Sequence, residues 1–292
     1  MGFTIGHKGR NVGLDVGLGG AVMGNSNSTY VWTNADAETY YDALVTAQGD
    51  DLWINSIYGI SINAYKQGLD NLFVSGASDG WFAKMIGMYL FQGSVVGANV
   101  INAFLPATNN LTAINSPTYD INGAVLNGTS QYFKTGISQN PDGTLNNLTY
   151  AIKTINVTST GVDSYMGASN GITQRNQLVH QTTITSLSSY TTTEGAGKTS
   201  VNATRNTFLL ATRRASNDVE IYQDGVSIAT DSGSGGTRST YENYIGTQNN
   251  IGVPTNYVDG TIQFASIGLG LTTAQQLSLY NAYTTFATLI GR

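Results

Sequence analysis

The stretch "EIYQDGVSIATDS", residues 220–232, decides how the rest of the chain reads. Residues alternate up to Asp224-Gly225 and alternate again beyond it. An Asp-Gly pair between two such runs predicts a type I′ turn, because both central residues need positive φ. A two-residue turn pairs Gln223 with Val226, Tyr222 with Ser227 and Ile221 with Ile228. Since side chains alternate across a strand, Val219, Ile221 and Ile228 share one face, read as core. Glu220, Tyr222 and Ser227 share the other, read as facing solvent.

Outward from this hairpin, the same period of two recurs. "YFKTG", "LTYAIKTINV", "FLLATRR", "YIGTQ" and "GTIQFASIGLG" are short strand-like runs separated by Asn, Gly, Ser and Pro clusters. Many short strands at this spacing predict an antiparallel sandwich or barrel. Between residues 155 and 205 the spacing is less regular and places no strand edges. Upstream, residues 34–86 read as helical. Asn34 and Asp36 suit a helix start, Gly49 a helix end, and Leu52–Tyr65 reads as one apolar stretch stopped at Gly68. At the other end, Thr272 and Gln275 form a capping box for a helix over 273–290. Leu277, Tyr280, Tyr283, Phe286, Ala287 and Ile290 are its expected buried positions.

Composition narrows the function classes. Only 11% of the 292 residues are charged, 35 are glycine and 17 are tyrosine. Average globular proteins carry roughly 25% charged residues and ~7% glycine. The surface is therefore covered by neutral hydrogen-bonding groups. A net charge of −5 argues against a nucleic-acid partner, which needs a basic patch. The chain has no cysteine, so disulfides and Cys-ligated zinc are excluded. No secretory h-region opens the chain and no apolar run is long enough for a membrane helix, so neither export by a signal peptide nor membrane insertion is expected.

Residues 1–33 stand apart. They read either as a flexible leader or as an extended arm that orders against a partner subunit, with Val12, Leu14, Val16, Leu18 and Val22 as apolar teeth.

The candidate chemistry is sparse. Asp218 and Glu220 lie on one strand face, but two acids alone do not make a glycosidase, and Asp224 is taken by the turn. "TEGAGKTS", residues 193–200, ends like a phosphate-binding loop but has Thr192 where the motif needs glycine, and strand-like sequence follows it. His7 and His180 have no acids spaced for a metal site. Arg213-Arg214 reads as a strand end with at least one side chain in solvent, or as half of a subunit salt bridge. Neither a catalytic residue nor a metal or cofactor is expected. Exposed Tyr, Asn and Arg residues in irregular loops suit carbohydrate contact, and the candidates are Asn170, Arg175, Tyr190, Arg238 and Tyr241. Ordinary loop roles are the competing reading.

Three segments carry a resemblance. "GAVLNGTSQYFKTG" (123–136), "VEIYQDGVSIAT" (219–230) and "YVDGTIQFASIGLGLTTAQQLSLYNAY" (257–283) resemble laminin-G-like or concanavalin-like jelly-roll domains, over roughly residues 87–292. "DAETYYDALVTAQGDDLW", "WFAKMIGMYLF" and the junction after Asn109 look like tailed-phage structural proteins in which a short helical region precedes such a domain. The resemblance implies a mainly β fold: an antiparallel jelly-roll β-sandwich with an N-terminal helical region, an extended N-terminal arm and a C-terminal helix. It implies a virion component assembled in the host cytoplasm, as a capsid decoration, head fibre or tail protein. Its partners would be other virion proteins, met through the arm, and further copies of itself, trimers being common in such fittings. A tail-fibre adhesin that binds host-surface glycan is the alternative, and a glycan hydrolase the third reading.

Overall fold

The structure, a computed structural model, describes residues 30–138, 147–158, 161–171, 175–181, 186–190, 198–202, 204–232 and 239–292. The arm residues Val12, Leu14, Val16, Leu18 and Val22 and the loop residue Arg238 lie outside these. Trp32–Arg292 forms one compact unit.

Three helices open it: α1 (Ala35–Gln48), α2 (Leu52–Tyr58) and α3 (Ile62–Asp79). The Asn34 side chain caps α1 by accepting from the N–H groups of Asp36 and Ala37. Upstream of that cap, the buried Asp70 carboxylate accepts from the backbone N–H groups of Thr33 and Asn34 at 2.8 Å each, tying the start of α1 to α3. The stretch expected as one helix over Leu52–Tyr65 is two. Gly59, at φ 68°, ends the first, and the Ser61 hydroxyl caps the second by accepting from Ala64. Gly68 does not stop a helix. It sits inside α3, where a Cβ would stand 2.2 Å from Leu289 Cδ2, so its bareness lets the C-terminal helix come close. This N-terminal helical region ends with a short 3₁₀ turn at Phe82–Lys84, and strand begins at Met85.

The strands follow in chain order. They are β1 (Met85–Tyr89), then after the short α4 (Val96–Asn99), β2 (Thr112–Ile114), β3 (Thr118–Asp120), β4 (Gly123–Asn127), β5 (Tyr132–Ser138) and β6 (Leu148–Ile155). Next come β7 (Asp163–Ser169), β8 (Arg175–Gln181), β9 (Ser186–Tyr190), β10 (Lys198–Asn202), β11 (Phe208–Ala215), β12 (Asp218–Gln223) and β13 (Val226–Asp231). Last are β14 (Glu242–Ile245), β15 (Gln248–Asn250), β16 (Val253–Thr255) and β17 (Asp259–Gly268), with the helix α5 (Thr273–Leu289) closing the chain.

Among the described residues these make two sheets. The first runs β13-β12-β11-β6-β17-β4-β3, with β1 also on β17; the second runs β10-β9-β8-β7-β14-β5-β2, with β15 and β16 attached through β7. The described pairings are antiparallel except the short β15–β7 contact. The chain is thus mainly β, a two-sheet antiparallel sandwich with a helical region before it and a capped helix after it. The Thr272–Gln275 capping box is present in full.

Two cores result. Between the sheets, Ile152, Leu209, Ile221, Ile262 and Ile267 of the first meet Phe133, Met166, Leu178 and Ile245 of the second. On the outer face of the first sheet, Phe208, Leu210, Tyr222 and Phe264 meet Tyr65, Phe73, Trp81, Tyr283 and Phe286 of the helical layer. The first sheet is therefore covered on both faces, and β6, β11 and β17 are buried at almost every residue.

That cover corrects several sequence expectations. The Asp224-Gly225 turn forms, with φ 48° and 78°. Gln223 pairs with Val226 and Tyr222 with Ser227, but a bulge then pairs Ile221 with Ala229 rather than Ile228. The face expected in solvent is occupied: Tyr222 is 1% exposed and Glu220 8%. The helix α5 lies across the turn, with Tyr280 so close that a Cβ on Gly225 would meet its ring at 2.6 Å. Arg213 is fully buried within β11, not at a solvent-exposed strand end, while Arg214 pairs within its own chain. Leu277, expected inside, is 44% exposed and lies beside the Gly225 turn, at the groove between α3 and α5.

Candidate functional site

The acids of the opening hairpin form a closed network. Arg214 reaches Asp218 Oδ1 at 2.6 Å, Asp218 Oδ2 at 2.7 Å and Glu220 Oε2 at 2.8 Å. The Tyr222 hydroxyl donates to Glu220 and lies 3.2 Å from the Thr273 hydroxyl at the start of α5. Burial pushes the Glu220 carboxyl up, but hydrogen bonds from Ser227, Tyr222 and Arg214 outweigh it and hold it below the ordinary glutamate range. The Arg214 hydrogen bond, against a smaller burial effect, holds Asp218 low as well. A general acid must carry a proton near neutral pH. Here both carboxyls are kept ionised around one guanidinium, so this arrangement supplies a clasp between β11, β12 and α5.

The loop candidates fall together elsewhere. Asn170 follows the last residue of β7, and Arg175 opens β8 opposite Ser169. Tyr190 closes β9 opposite Gln177. Tyr241 directly precedes β14, which pairs with β7, and a Cβ on Gly252 would lie 4.0 Å from its ring. The backbone N–H of Ile251 donates to Ser169 O at 3.0 Å, which brings the β15–β16 turn alongside Asn170. Ile251 and Val253 on that turn are more than half exposed. One end of the second sheet thus gathers Asn170, Tyr241, an apolar turn and the backbone positions of Arg175 and Tyr190.

Next to this end runs a row across the outer face of the second sheet. Register aligns Thr112, Lys134, Tyr244, Gly167, Gln177 and Tyr190 on successive strands. Tyr244 packs against Tyr132 at 4.9 Å between ring centroids, Tyr132 against Tyr257 at 6.1 Å, and Lys134 Nζ stands 5.8 Å from the Tyr244 ring. Burial, with Glu242 adding to it, pushes the Tyr244 phenol up to about 12. It therefore stays a hydrogen-bond donor at neutral pH. Gly167 leaves a gap in the row, and the buried Gln177 beside it has a side-chain oxygen with no hydrogen-bond partner among the described residues. Sequence reasoning missed Tyr132, Lys134, Tyr244, Tyr257 and Gln177. The alternation in "QYFKTG" already puts Tyr132 and Lys134 on one face, but only register joins them to β14.

The remaining motifs gain no chemistry. Lys198–Asn202, at the end of the phosphate-loop-like segment, is strand, where a phosphate-binding loop leads into a helix. The rest of the segment and His7 lie outside the described residues. Among the described residues no cluster of acids and histidines forms that could hold a metal ion, and no helix is long and apolar enough to cross a membrane.

No protein-family model and no curated protein sequence matches this chain. Solved structures do. A variant of Trypanosoma rangeli sialidase displaying trans-sialidase activity aligns with a TM-score of 0.51 at 15% identity, over 75% of this chain and 39% of the sialidase. The same enzyme in complex with 2,3-difluorosialic acid, as a covalent intermediate, aligns at 0.50 and 14% identity, over 74% and 39%. Domain 4 of an extracellular arabinanase from Geobacillus stearothermophilus, in complex with arabinotriose, aligns at 0.45 and 15% identity, over 67% and 98%. The chain therefore spans about two fifths of the sialidases it resembles, and the likeness is one of fold.

Proposed function

We propose that this protein is a non-catalytic, glycan-contacting β-sandwich, displayed on a phage particle as a capsid decoration, head fibre or tail component. The observation that carries the glycan reading is the gathering of Asn170, Tyr241 and the exposed Ile251–Val253 turn at one end of the second sheet. Flat rings and exposed apolar atoms stack on a sugar face, while amides and phenols exchange hydrogen bonds with its hydroxyls. That the neighbours in fold include an enzyme acting on sialic acid agrees with this reading. The sequence resemblance supplies the phage setting, with attachment through residues 1–33 and self-association, as a trimer by analogy. The Arg214-bound acids support the absence of hydrolysis.

The test is a broad glycan array probed with the purified full chain. The expected result is binding to one group of host-surface glycans, weakened by Tyr241→Ala and Asn170→Ala, with no reducing ends released. A clean negative across the array would sink the glycan reading. Particles that still incorporate protein lacking residues 1–33 would sink the attachment reading.

A further inference from the structure

The hairpin tip, the outer face of the first sheet and α5 enclose a cavity of about 270 Å³ far from the residues just described. It lies below the ~300–1,000 Å³ typical of drug-sized ligands, which suits one small ring and not a chain. Its walls carry both apolar and polar groups. Phe208 and Tyr280, ring centroids 5.5 Å apart at 65°, form an aromatic side. Lys153, Asp224 and Gln263 form a polar side.

The polar side has capacity to spare. Lys153 Nζ donates one described hydrogen bond, to Asn206 O at 3.2 Å, and an ammonium has three to give. Burial pushes this ammonium below the ordinary lysine range, against the pull of Asp224. Asp224 accepts from the Thr207 hydroxyl on one oxygen and from Phe208 N at 3.0 Å on the other, leaving a second lone pair on each. Gln263 is brought in by a bulge in β17 between Ile262 and Phe264, a device that commonly re-aims a side chain beside a site. Arg292, although it lines the cavity, spends its guanidinium on Ile121 O, Leu90 O, Phe91 O and the Tyr58 hydroxyl. It contributes wall and, of its five N–H donors, at most one on Nη1.

A cation and an anion side by side, facing an aromatic wall, suit a ligand that both donates and accepts along one edge and is apolar on its face. We infer that this cavity binds a single neutral sugar ring, the terminal unit of a glycan, with Lys153 donating to its hydroxyls, Asp224 accepting from them, and Phe208 and Tyr280 packing on the ring. A neutral ring is the better match, since an acidic sugar's carboxylate would be drawn to Lys153 and the Arg292 wall only by meeting Asp224 beside them. The inference rests on the glycan reading above and adds a second, end-recognising site on the opposite sheet.

The experiment is saturation-transfer NMR and calorimetric titration of the full chain with free neutral hexoses and N-acetylhexosamines, with uronic and sialic acids as comparators. The expected result is millimolar binding of at least one neutral ring and weaker binding of the acids. Thr284→Trp, at an exposed helix position on the cavity wall, is expected to weaken it at least ~10-fold by filling the space. Lys153→Met, which keeps the stem and removes the ammonium, should cost roughly tenfold too. No transfer to any neutral ring, binding indifferent to both cavity variants, or preference for the acids would each overturn the inference. Array binding lost with Tyr241→Ala but kept with Thr284→Trp would leave the glycan reading standing without this site.

Discussion

The two faces of the first sheet are built from the same strands and filled differently. Facing the second sheet, they present mostly aliphatic groups: Ile152, Leu209, Ala211, Ile221, Ile262 and Ile267. Facing the helices, they present Phe208, Tyr222 and Phe264, which meet Tyr65, Trp81, Tyr283 and Phe286. Two twisted sheets about 10 Å apart interdigitate with short branched side chains. A round helix over a twisted sheet leaves wider, uneven gaps, and rings fill them: Phe264 and Tyr283 lie 4.7 Å apart, Phe208 and Tyr283 5.6 Å. The uneven packing also leaves the cavity beside α5. The inner face is a sealed core; the outer face combines a core with a clasp and a cavity.

The harshest way to break this comparison is to cut one large side chain from each face. Phe264→Ala should cost about 3–5 kcal/mol and Ile152→Ala about 2–5 kcal/mol, since both are fully buried. Because the helices share the compact unit with the sandwich, both variants should unfold in one transition, followed by far- and near-ultraviolet circular dichroism during urea denaturation. A separate early transition in Phe264→Ala alone would show that the helical layer is an independent unit.

A smaller cut tests the clasp. Arg214→Met leaves Glu220, almost fully buried, without its cation and should cost about 1–3 kcal/mol at neutral pH. The folded-state pKa values of Asp218 and Glu220 are both lowered. Their stabilisation is therefore present above the unfolded carboxylate value of about 4 and is lost as pH falls through the lower folded values. The melting-temperature gap between wild type and Arg214→Met should be full at neutral pH and narrow as pH falls below about 4. A gap that stays constant over that range would mean that Arg214 acts through packing alone.

The same two faces explain what was legible beforehand. The inner-face pattern, the Asp224-Gly225 turn and the Thr272 cap are local, and they were readable from spacing and residue type. Glu220 was misread as solvent-facing because nothing within the hairpin announces that α5, fifty residues on, lies across it. The bulge at Ile221 and the close packing at Gly68 likewise depend on distant partners. The site at the end of the second sheet was half legible: Asn170 and Tyr241 are flagged by residue type, whereas Tyr132, Lys134 and Tyr244 join only through strand register. The cavity was invisible, since Lys153, Asp224, Gln263 and Tyr280 come from separate elements.

Removing the cap of α5 is a gentler probe of the outer face. Thr272→Ala deletes the acceptor for Gln275 N and should cost about 1 kcal/mol. Hydrogen exchange should rise at the first turn of α5 and across the Asp224 turn beneath it, while the amides of β6, paired on both sides by β11 and β17, stay protected. Exchange rising equally on both faces would mean that the layers do not loosen separately.

The smallest expected change in stability carries the most functional information. Tyr241 is half-buried at the start of β14, and its backbone N–H donates to the Ser239 hydroxyl, a bond that survives loss of the ring. Tyr241→Ala should therefore move stability by less than about 0.5 kcal/mol, as surface changes away from structural features do. If the end of the second sheet contacts sugar, the same variant loses a stacking face worth about 0.5–1.5 kcal/mol, a 2- to 12-fold weaker apparent affinity on any glycan that the wild type binds. Unchanged stability with weakened binding would set this end of the sandwich apart from the first sheet's buried faces, where side chains cannot be lost without unfolding. Unchanged stability with unchanged binding would remove Tyr241 from the contact surface and leave the exposed Ile251–Val253 turn to carry it.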